Sequence, residues 1–409
     1  MPRAESRGGP LVWSALLMAV GNGAFMTCSA LYFTRVSGLT VGEFGLGLSI
    51  AGAVGLFAGV PLGHLADRFG PRGMTALLFA VHGLAVAAYL LVHGLPAFVA
   101  VACLYVVSQR GARAAQQALV GALPNSDSLV LTQARMRSVS NIGLAAGAAL
   151  GGLALQSQVG TALSAVLVAN AFALLASAAL LLRLPAVSGT PHDETAPSRW
   201  PVFRDMPFLA LTVVSAVLSL HFLVLDLILP LWIVQHTRVP QSMITALFLI
   251  NTVAVVAFQV RVGNRVRTVR EAVSKSWLAG LALLVTCVLF ALSAHGSVLT
   301  EIVLLVAAGA VHAGAEILFS TVFWVVSFDL APEGRRGQYQ GFFFTGFATA
   351  AMVAPVLLTF LIITWDGPGW LVLGALGVAG GLAVGPIVAW ADRRRAGAPP
   401  CPSVGSDTA

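Results

Sequence analysis

The stretch "GHLADRFGPRG", residues 63–73, gathers one acidic and two basic side chains between long apolar runs. Only 10% of the 409 residues are charged, whereas 58% are hydrophobic. A soluble domain carries about 25% charged residues, so this composition predicts an integral membrane protein. In such a protein a charged cluster belongs to a connection between spans, and the connections determine how the chain is arranged in the bilayer.

Apolar runs on both sides of this stretch predict an all-α protein with twelve transmembrane helices. About 20 consecutive apolar residues cross a bilayer as one helix. The stretch at residues 63–73 then connects the second span to the third. The predicted spans are residues 11–34, 42–62, 74–93, 96–120, 136–157, 160–183, 208–234, 240–260, 272–294, 298–327, 338–363 and 368–390.

The basic residues concentrate in alternate connections. If both termini face the cytoplasm, cytoplasmic segments hold 19 of the 23 basic residues, and this count includes Arg135 and Arg137 at the start of the fifth span. The outer loops hold only Arg35 and Arg238. Because Lys and Arg accumulate in cytoplasmic loops, this split predicts a multi-pass protein with both termini in the cytoplasm. The strong preference for Arg over Lys is typical of a GC-rich genome, so we expect the plasma (inner) membrane of a bacterium.

The longest hydrophilic connection, residues 184–207, divides the spans into six and six. It predicts an N-terminal half (1–183), a cytoplasmic linker (184–207), a C-terminal half (208–392) and a cytoplasmic tail (393–409). The basic connection "QVRVGNRVRTVR" has the same place in the second half as "GHLADRFGPRG" in the first. Two equal sets of spans with weakly similar loops predict two pseudo-symmetric six-helix halves.

The loop pattern G-x-L-A-D-R-x-G-x-R resembles the loop 2–3 motif of the major facilitator superfamily, although Pro71 and Gly73 stand where basic residues are usual. Twelve spans in two halves extend the resemblance over nearly the whole chain. It implies that Asp67 faces the N-terminal end of helix 11, near residues 336–341. A carboxylate gains about 0.3–1 kcal/mol at such a helix end.

Small residues in the same loop would let the two halves approach closely. The resemblance therefore implies a latch that closes the cytoplasmic side and breaks when the transporter opens inward. The alternative is an ordinary positively charged loop with a helix cap. The residues of the expected latch are Gly63, Asp67, Arg68, Gly70 and Arg72, together with Leu65 and Ala66 of the motif.

A glycine pattern, "GLAAGAALGG", occupies residues 143–152 of the fifth span. At helical spacing Gly143, Gly147, Gly151 and Gly152 are predicted to share one face. Small residues four apart allow close helix packing in any membrane protein. The pattern also resembles the span 5 motif of facilitator-family antiporters, with Ala148 in place of the usual Pro, and this resemblance implies export.

Asp226 in the seventh span and Glu316 in the tenth are the only acidic residues deep within predicted spans. A charged group facing lipid at the centre of the bilayer costs about 2.5–3.5 kcal/mol, so we expect both to line a cavity between the halves. Their placement resembles that of proton-driven multidrug exporters and implies proton coupling. The alternative is a buried ion pair across the halves.

Other polar residues within spans are predicted to line the same cavity and to balance its charge. His312 precedes Glu316 by four residues and lies on the same helical face. A buried histidine can equally be hydrogen-bonded without a further role. The predicted cavity and charge-balance residues are Arg110, Arg113, His312 and Asn22.

The sequence lacks the motifs of the common enzyme classes. There is no phosphate-binding G-x-x-x-x-G-K-[ST] loop, no H-E-x-x-H motif and no G-x-S-x-G elbow. The four cysteines are isolated, which predicts neither a disulfide framework nor a metal site. The basic residues form no patch interleaved with aromatics, so nucleic acid is not expected as a partner. We expect no cofactor.

Together these patterns predict a proton-coupled secondary transporter that exports amphiphilic or drug-like small molecules by alternating access. Its partners would be the cargo, protons and the lipid bilayer, and it would act as a monomer. Two alternatives remain. One is a proton symporter that imports a polar nutrient, and the other is a transport-inactive membrane scaffold or sensor.

Overall fold

All regular secondary structure in the described residues is helical. The structure is a computed structural model that describes residues 9–122, 126–156, 160–185 and 200–396. The helices are α1 (Gly9–Leu31), α2a (Val41–Leu56), α2b (Gly59–Phe69), α3 (Pro71–Ala88), α4 (Leu95–Gly121), α5 (Ser126–Gln156), α6 (Gly160–Leu181), α7a (Met206–Ser219), α7b (Leu229–His236), α8 (Ser242–Gly263), α9 (Val269–Leu292), α10 (Val298–Leu330), α11 (Arg336–Leu358) and α12 (Gly367–Ala396).

Short segments of other helical types interrupt or extend these helices. The π-helical turns are Tyr32–Val36 after α1, Val224–Ile228 between α7a and α7b, and Thr359–Thr364 after α11. The 3₁₀ turns are Tyr89–Leu91 and Pro201–Arg204. A π-helical turn inside a helix often marks a functional position, and the one in the seventh span contains Asp226.

Eleven of the described helical spans are long and apolar enough to cross a membrane. The pair α2a and α2b, bent by 48°, makes a twelfth if it is one span. The prediction of an all-α membrane protein with up to twelve spans is therefore confirmed. Large apolar side chains that remain exposed, such as Phe57 and Phe172, fit a lipid-facing surface.

Local sequence explains where the helices around the first loop begin and end. Thr40 and Glu43 form a reciprocal capping box at the start of α2a. Gly70 has φ of 98°, a conformation that a residue with a side chain adopts only under strain. Pro71 then begins α3, where a missing N–H costs nothing. Gly70 therefore turns the chain between two helices, and its expected part in the close approach of the halves remains a prediction.

The last six spans repeat the packing of the first six. In the first set, α1 packs on α5 and α6, α4 packs on α2a and α3, and α3 packs on α6. In the second set, α7a packs on α11 and α12, α10 packs on α8 and α9, and α9 packs on α12. When six is added to both helix numbers of a packed pair in the first set, the result is a packed pair in the second set. We call α1–α6 the first half and α7–α12 the second half.

The fifth span is longer than the sequence predicted. α5 begins at Ser126 instead of near residue 136, so Arg135 and Arg137 lie inside a helix and not in a connection. The assignment of Arg137 to a cytoplasmic segment was wrong. Residues 186–199 of the predicted linker and residues 397–409 of the predicted tail lie outside the described residues.

Candidate functional site: a polar cavity between the halves

The two halves meet through glycines where α2b crosses the start of α11. We call this end of the molecule, which also contains the Pro201–Arg204 turn, the linker end. A Cβ placed on Gly59 would lie 2.8 Å from the carbonyl oxygen of Gly341, and one on Gly63 would collide with the carbonyl oxygen of Gly337. Backbone therefore lies directly on backbone, and larger residues at these positions would force the helices apart.

Asp67 joins the halves at the same crossing. Its Oδ1 accepts a hydrogen bond from the Gly337 N–H at 2.7 Å, and its Oδ2 accepts one from the Gln338 N–H at 2.9 Å. The first N–H groups of a helix have no partner within the helix, and the helix dipole favours a negative charge there. The structure thus places Asp67 where the resemblance implied, at the N-terminal end of α11.

The basic residues of this loop do not bridge the halves. Arg72 donates from Nη1 to the carbonyl oxygen of Leu184 at 2.7 Å, which ties the loop to the end of the first half. The guanidinium of Arg68 lies 5.4 Å from the ring centre of Phe69. Of the five predicted latch residues, Gly63 and Asp67 contact the backbone of α11 in the second half.

Deeper between the halves, Glu316 of α10 forms an ion pair with Arg137 of α5. Asn251 of α8 donates from Nδ2 to the second carboxylate oxygen of Glu316 at 2.8 Å. The Glu316 side chain is only 9% exposed, so its charge depends on these partners. Arg137 also lies 5.2 Å from the ring centre of Phe222, a cation–π contact with the second half.

The partner of Glu316 was not the one that the sequence suggested. Arg110 was expected to balance the buried carboxylates, but Arg137 takes that place. Asn251 was missed as well. An asparagine inside the apolar run "FLINTVAVV" was the available signal, because a buried amide needs hydrogen-bond partners.

The second predicted proton site, Asp226, lies in the π-helical turn of the seventh span and is exposed. It is within electrostatic range of Glu316. Like charges that act on each other disfavour ionisation of both carboxyls at once. Glu316 is thus linked to Arg137 of the first half by an ion pair and to Asp226 of its own half by charge.

His312 lies four residues before Glu316 but bonds elsewhere. Its Nε2 donates to the backbone carbonyl oxygen of His221 at 3.0 Å, next to the break between α7a and α7b. Both imidazoles are completely buried, with ring centres 5.6 Å apart. His312 therefore connects α10 to α7, and its expected effect on Glu316 remains a prediction.

The predicted arginines of α4 have no counter-ion. In the part of the chain that the structure describes, no carboxylate lies within ion-pairing distance of Arg110 or Arg113, and the buried Arg110 Nε has no hydrogen-bond acceptor. Asn22 of α1 likewise has a buried Oδ1 without a partner. Gln117 of α4 accepts a hydrogen bond from Gln133 of α5, which holds these two helices together.

The glycines of α5 pack against α1. A Cβ on Gly143 or Gly151 would lie 2.9 Å from the carbonyl oxygen of Leu16 or Ala24, and one on Gly147 would collide with the carbonyl oxygen of Val20. A Cβ on Gly152 would meet no atom within 4 Å. The prediction that all four glycines share one face was therefore wrong for Gly152.

A second buried carboxylate, Glu301, lies at the end opposite the linker end. It accepts hydrogen bonds from the backbone N–H of Arg238 at 2.7 Å and from its Nε at 3.1 Å. This ion pair fixes the loop between α7b and α8 to the start of α10 and lies within the second half. Among the described residues no group of three or more His, Cys, Asp or Glu is placed to hold a metal ion.

Comparison with known proteins matches the Major Facilitator Superfamily over residues 11–323. No curated protein sequence matches the chain. Among solved structures, a bacterial homologue of the iron transporter ferroportin in an outward-facing state is 15% identical, with a TM-score of 0.75 and coverage of 95% of this chain and 99% of the other. The human organic anion transporter MFSD10 is 15% identical (TM-score 0.68, 94% and 100% covered). The proton:xylose symporter XylE is 14% identical (TM-score 0.71, 94% and 95% covered). At these identities the likeness concerns the fold alone.

Proposed function

Because this chain belongs to the Major Facilitator Superfamily, we propose that it is a proton-coupled secondary transporter that exports amphiphilic, drug-like molecules. It is a multi-pass membrane protein and a transporter, not an enzyme. The observation that carries the proposal is the ion pair between Arg137 of the first half and Glu316 of the second. This ion pair joins the first half to the second half, and alternating access moves these halves relative to each other.

Protonation of Glu316 would change this contact directly. The ionised carboxylate accepts from Arg137 and from Asn251, and charge-assisted hydrogen bonds of this kind are about twice as strong as neutral ones. A proton on Glu316 removes the charge and weakens the link between α5 and α10. Asp226 favours this step, because its own charge repels that of Glu316.

The transport cycle follows from the two contacts between halves. With Glu316 ionised, the halves meet at the linker end through Gly59, Gly63 and Asp67. A proton that arrives from the opposite side releases Arg137 and lets the linker end open. After the proton leaves on that side, cargo binds and the return step carries it out.

The membrane and the assembly are part of the same proposal. The distribution of basic residues supports the plasma membrane of a bacterium, with both termini and the linker end in the cytoplasm. The cargo, protons and lipid are the partners, and the transporter acts as a monomer without a cofactor or nucleic acid. Asp67 and Gly63 act as the latch at the cytoplasmic side, and Arg72 holds the loop to the first half.

One observation favours a second mode, co-transport of an anion with protons. Arg110 and Arg113 of α4 have no counter-ion among the described residues, and the Arg110 Nε has no hydrogen-bond partner. An anion bound near them would repel an ionised Glu316 and so favour its protonated form. Anion and proton would then move in the same direction. The sign of the proton flux on addition of cargo distinguishes this mode from exchange.

Transport by reconstituted protein tests the proposal. Proteoliposomes with an imposed pH gradient are given ethidium, tetraphenylphosphonium and 1-naphthoate in turn. Wild type is expected to accumulate at least one of them only when the gradient is present. Glu316→Gln should lose accumulation yet keep downhill exchange, and Asp226→Asn should lose it or shift its pH dependence.

Glu301→Gln is the matched control, because it removes an ion-paired carboxylate from the same helix but outside the cavity. It should accumulate cargo as wild type does. Accumulation by Glu316→Gln at the wild-type level would contradict proton coupling through this residue. A wild-type protein that moves none of the compounds would instead support a scaffold or sensor.

A further inference from the structure

Helix α4 carries two cations without counter-ions into the interior of a membrane protein. Arg110 and Arg113 are three residues apart, so they share a helical face, and their charges act on each other. The described residues provide neither side chain with a hydrogen-bond acceptor or a carboxylate within ion-pairing distance. The Nε of Arg110 is fully buried and without a partner.

The two arginines differ in burial, since Arg110 is partly buried and Arg113 is exposed, so the cost of the missing partner falls mainly on Arg110. An arginine within a span is expensive and normally pairs with an acidic side chain or a backbone carbonyl. Two like charges on one helical face repel and add to this cost. The sequence supplies partners for other buried charges in the same protein, since Glu316 has Arg137 and Glu301 has Arg238. The missing partner on α4 therefore points to a ligand.

A hydrogen bond between α4 and α5 relates these arginines to the helix that carries Arg137. The two helices are consecutive, and Gln133 of α5 donates to Gln117 of α4. Arg113 lies one helical turn from Gln117, and Arg137 lies one turn from Gln133. The charge of Arg113 also acts on His82 and Tyr105 of the first half.

The first half of the chain supplies the predicted cavity with more positive than negative charge. The positive groups are Arg110, Arg113 and Arg137. The negative groups are Glu316 and Asp226, and Glu316 is already paired with Arg137. When Glu316 takes up a proton, the excess of positive charge grows. A cationic cargo would therefore be repelled in the state that also carries the proton.

An apolar surface lies close to the charged groups. Phe222 of the second half contacts the Arg137 guanidinium at 5.2 Å and lies 6.2 Å from Phe347 of α11, centre to centre. Both phenylalanines are partly exposed. They offer an aromatic surface beside the guanidinium of Arg137.

We propose that the cargo is an organic anion, with a carboxylate, sulfonate or phosphate head held by Arg110 and Arg113. The planar guanidinium suits such heads, because its N–H groups bind two oxygens at once. The inference rests on the proposed transport through this cavity. It holds for either direction of transport, since it concerns only the charge of the cargo.

Equilibrium binding to the purified full-length protein tests the inference without any need for a proton gradient. The probes share one aromatic body: 1-naphthoate, naphthalene-1-sulfonate and 1-naphthyl phosphate are anionic, 1-naphthylmethanol is neutral, and 1-naphthylmethylammonium is cationic. In nanodiscs of zwitterionic lipid, at least one anion should bind about 10-fold more tightly than the neutral and cationic probes. Equal or tighter binding of the cation would overturn the proposal.

Variants locate the site. Arg110→Gln and Arg113→Gln should each weaken binding of that anion about 10- to 100-fold, the range expected for loss of a charge-assisted hydrogen bond. Arg110→Gln should also melt at a higher temperature than wild type without ligand, because it removes a partly buried charge without a partner. Arg35→Gln, an exposed arginine at the opposite end, should change neither property. Wild-type affinity in the double variant would contradict the assignment.

Two further arms separate cargo from lipid and from proton coupling. If phosphatidylglycerol in the nanodisc displaced the naphthyl anion competitively, the arginines would be a lipid headgroup site and the cargo proposal would be wrong. Glu316→Gln should still bind the anion in this assay even though it no longer couples transport to protons. Failure of the anion site and failure of proton coupling are therefore distinguishable.

Discussion

Glu316 makes the clearest connection between one residue and the proposed transport cycle. It lies near the middle of α10, and its partners come from α5 and α8. A buried carboxylate with one cationic partner is sensitive to the loss of that partner, because the remaining charge is then left unpaired in the interior. Removal of both charges leaves neither group unpaired.

The stability of paired variants tests this ion pair. Arg137→Met is expected to destabilise the protein by about 3–5 kcal/mol. The double variant Arg137→Met/Glu316→Gln should recover part of that loss, because a neutral amide is cheaper to bury than a carboxylate. Thermal unfolding in detergent measures the stability of these variants relative to wild type. Arg135→Met, an exposed arginine of the same helix, is the control, and an equal cost at positions 135 and 137 would contradict the ion pair.

Sequence patterns located the acidic partner but not the basic one. Glu316 stands alone in an apolar run, so its cost in lipid identifies it. Arg137 stands in "LTQARMRSVSN", where neighbouring polar residues are typical of a loop. α5 continues through this polar stretch because that part of the helix faces other polar side chains, such as Gln117, instead of lipid. Hydropathy alone cannot distinguish a cavity-lining helix from a connection.

Two glycine contacts between helices differ in what they join. Gly143, Gly147 and Gly151 of α5 pack on α1 within the first half, whereas Gly59 and Gly63 of α2b pack on α11 across the halves. The first contact should matter for stability, and the second should matter for which end of the molecule is open. Both allow backbones to approach closely.

The contact within the first half is tested by a matched pair of substitutions. Gly147→Leu should lower the free energy of unfolding by at least about 1–3 kcal/mol, because the new side chain meets the Val20 carbonyl oxygen. Gly152→Leu, in open space five residues later, should have little effect. Equal losses in both variants, measured by thermal unfolding, would show that the α1–α5 packing is not as described.

The contact across the halves calls for a conformational measurement. Gly63→Leu should keep α2b away from α11 and hold the linker end open, because its side chain would occupy the space of Gly337. Spin labels at Ser274 and Asp392 on the second half, each paired with Arg68 on the first, should report longer distances. Gly73→Leu is the control, since Gly73 has no atom within 4 Å of an added Cβ. A linker end that stays closed in Gly63→Leu would count against this crossing as the latch.

The sequence also predicted the transmembrane helices better than the bends and π-helical turns that interrupt them. Apolar length indicated the spans, but the 48° bend between α2a and α2b and the π-helical turn at Asp226 had no signal of their own. The bend lies at Phe57 and Ala58, within a run that reads as one apolar span. It depends on packing against α11 and α4, which a local pattern does not contain.

At the scale of the whole molecule, two contacts between halves act on the same motion. The Asp67 and glycine contacts hold the linker end closed, and the Arg137–Glu316 pair joins the halves at greater depth. If the second contact depends on a proton, the first should open when that proton binds. The central claim is therefore that the charge state of Glu316 determines whether the linker end is closed.

Distance distributions across the linker end, measured by pulsed electron paramagnetic resonance at pH 8 and pH 5, test this claim most directly. With labels at Gly73 of α3 and Asp392 of α12, wild type should give short distances at pH 8 and a larger share of long ones at pH 5. Glu316→Gln should give the long distances at both pH values, and Glu301→Gln should respond to pH as wild type does. A pH response in Glu316→Gln equal to that of wild type would contradict the account.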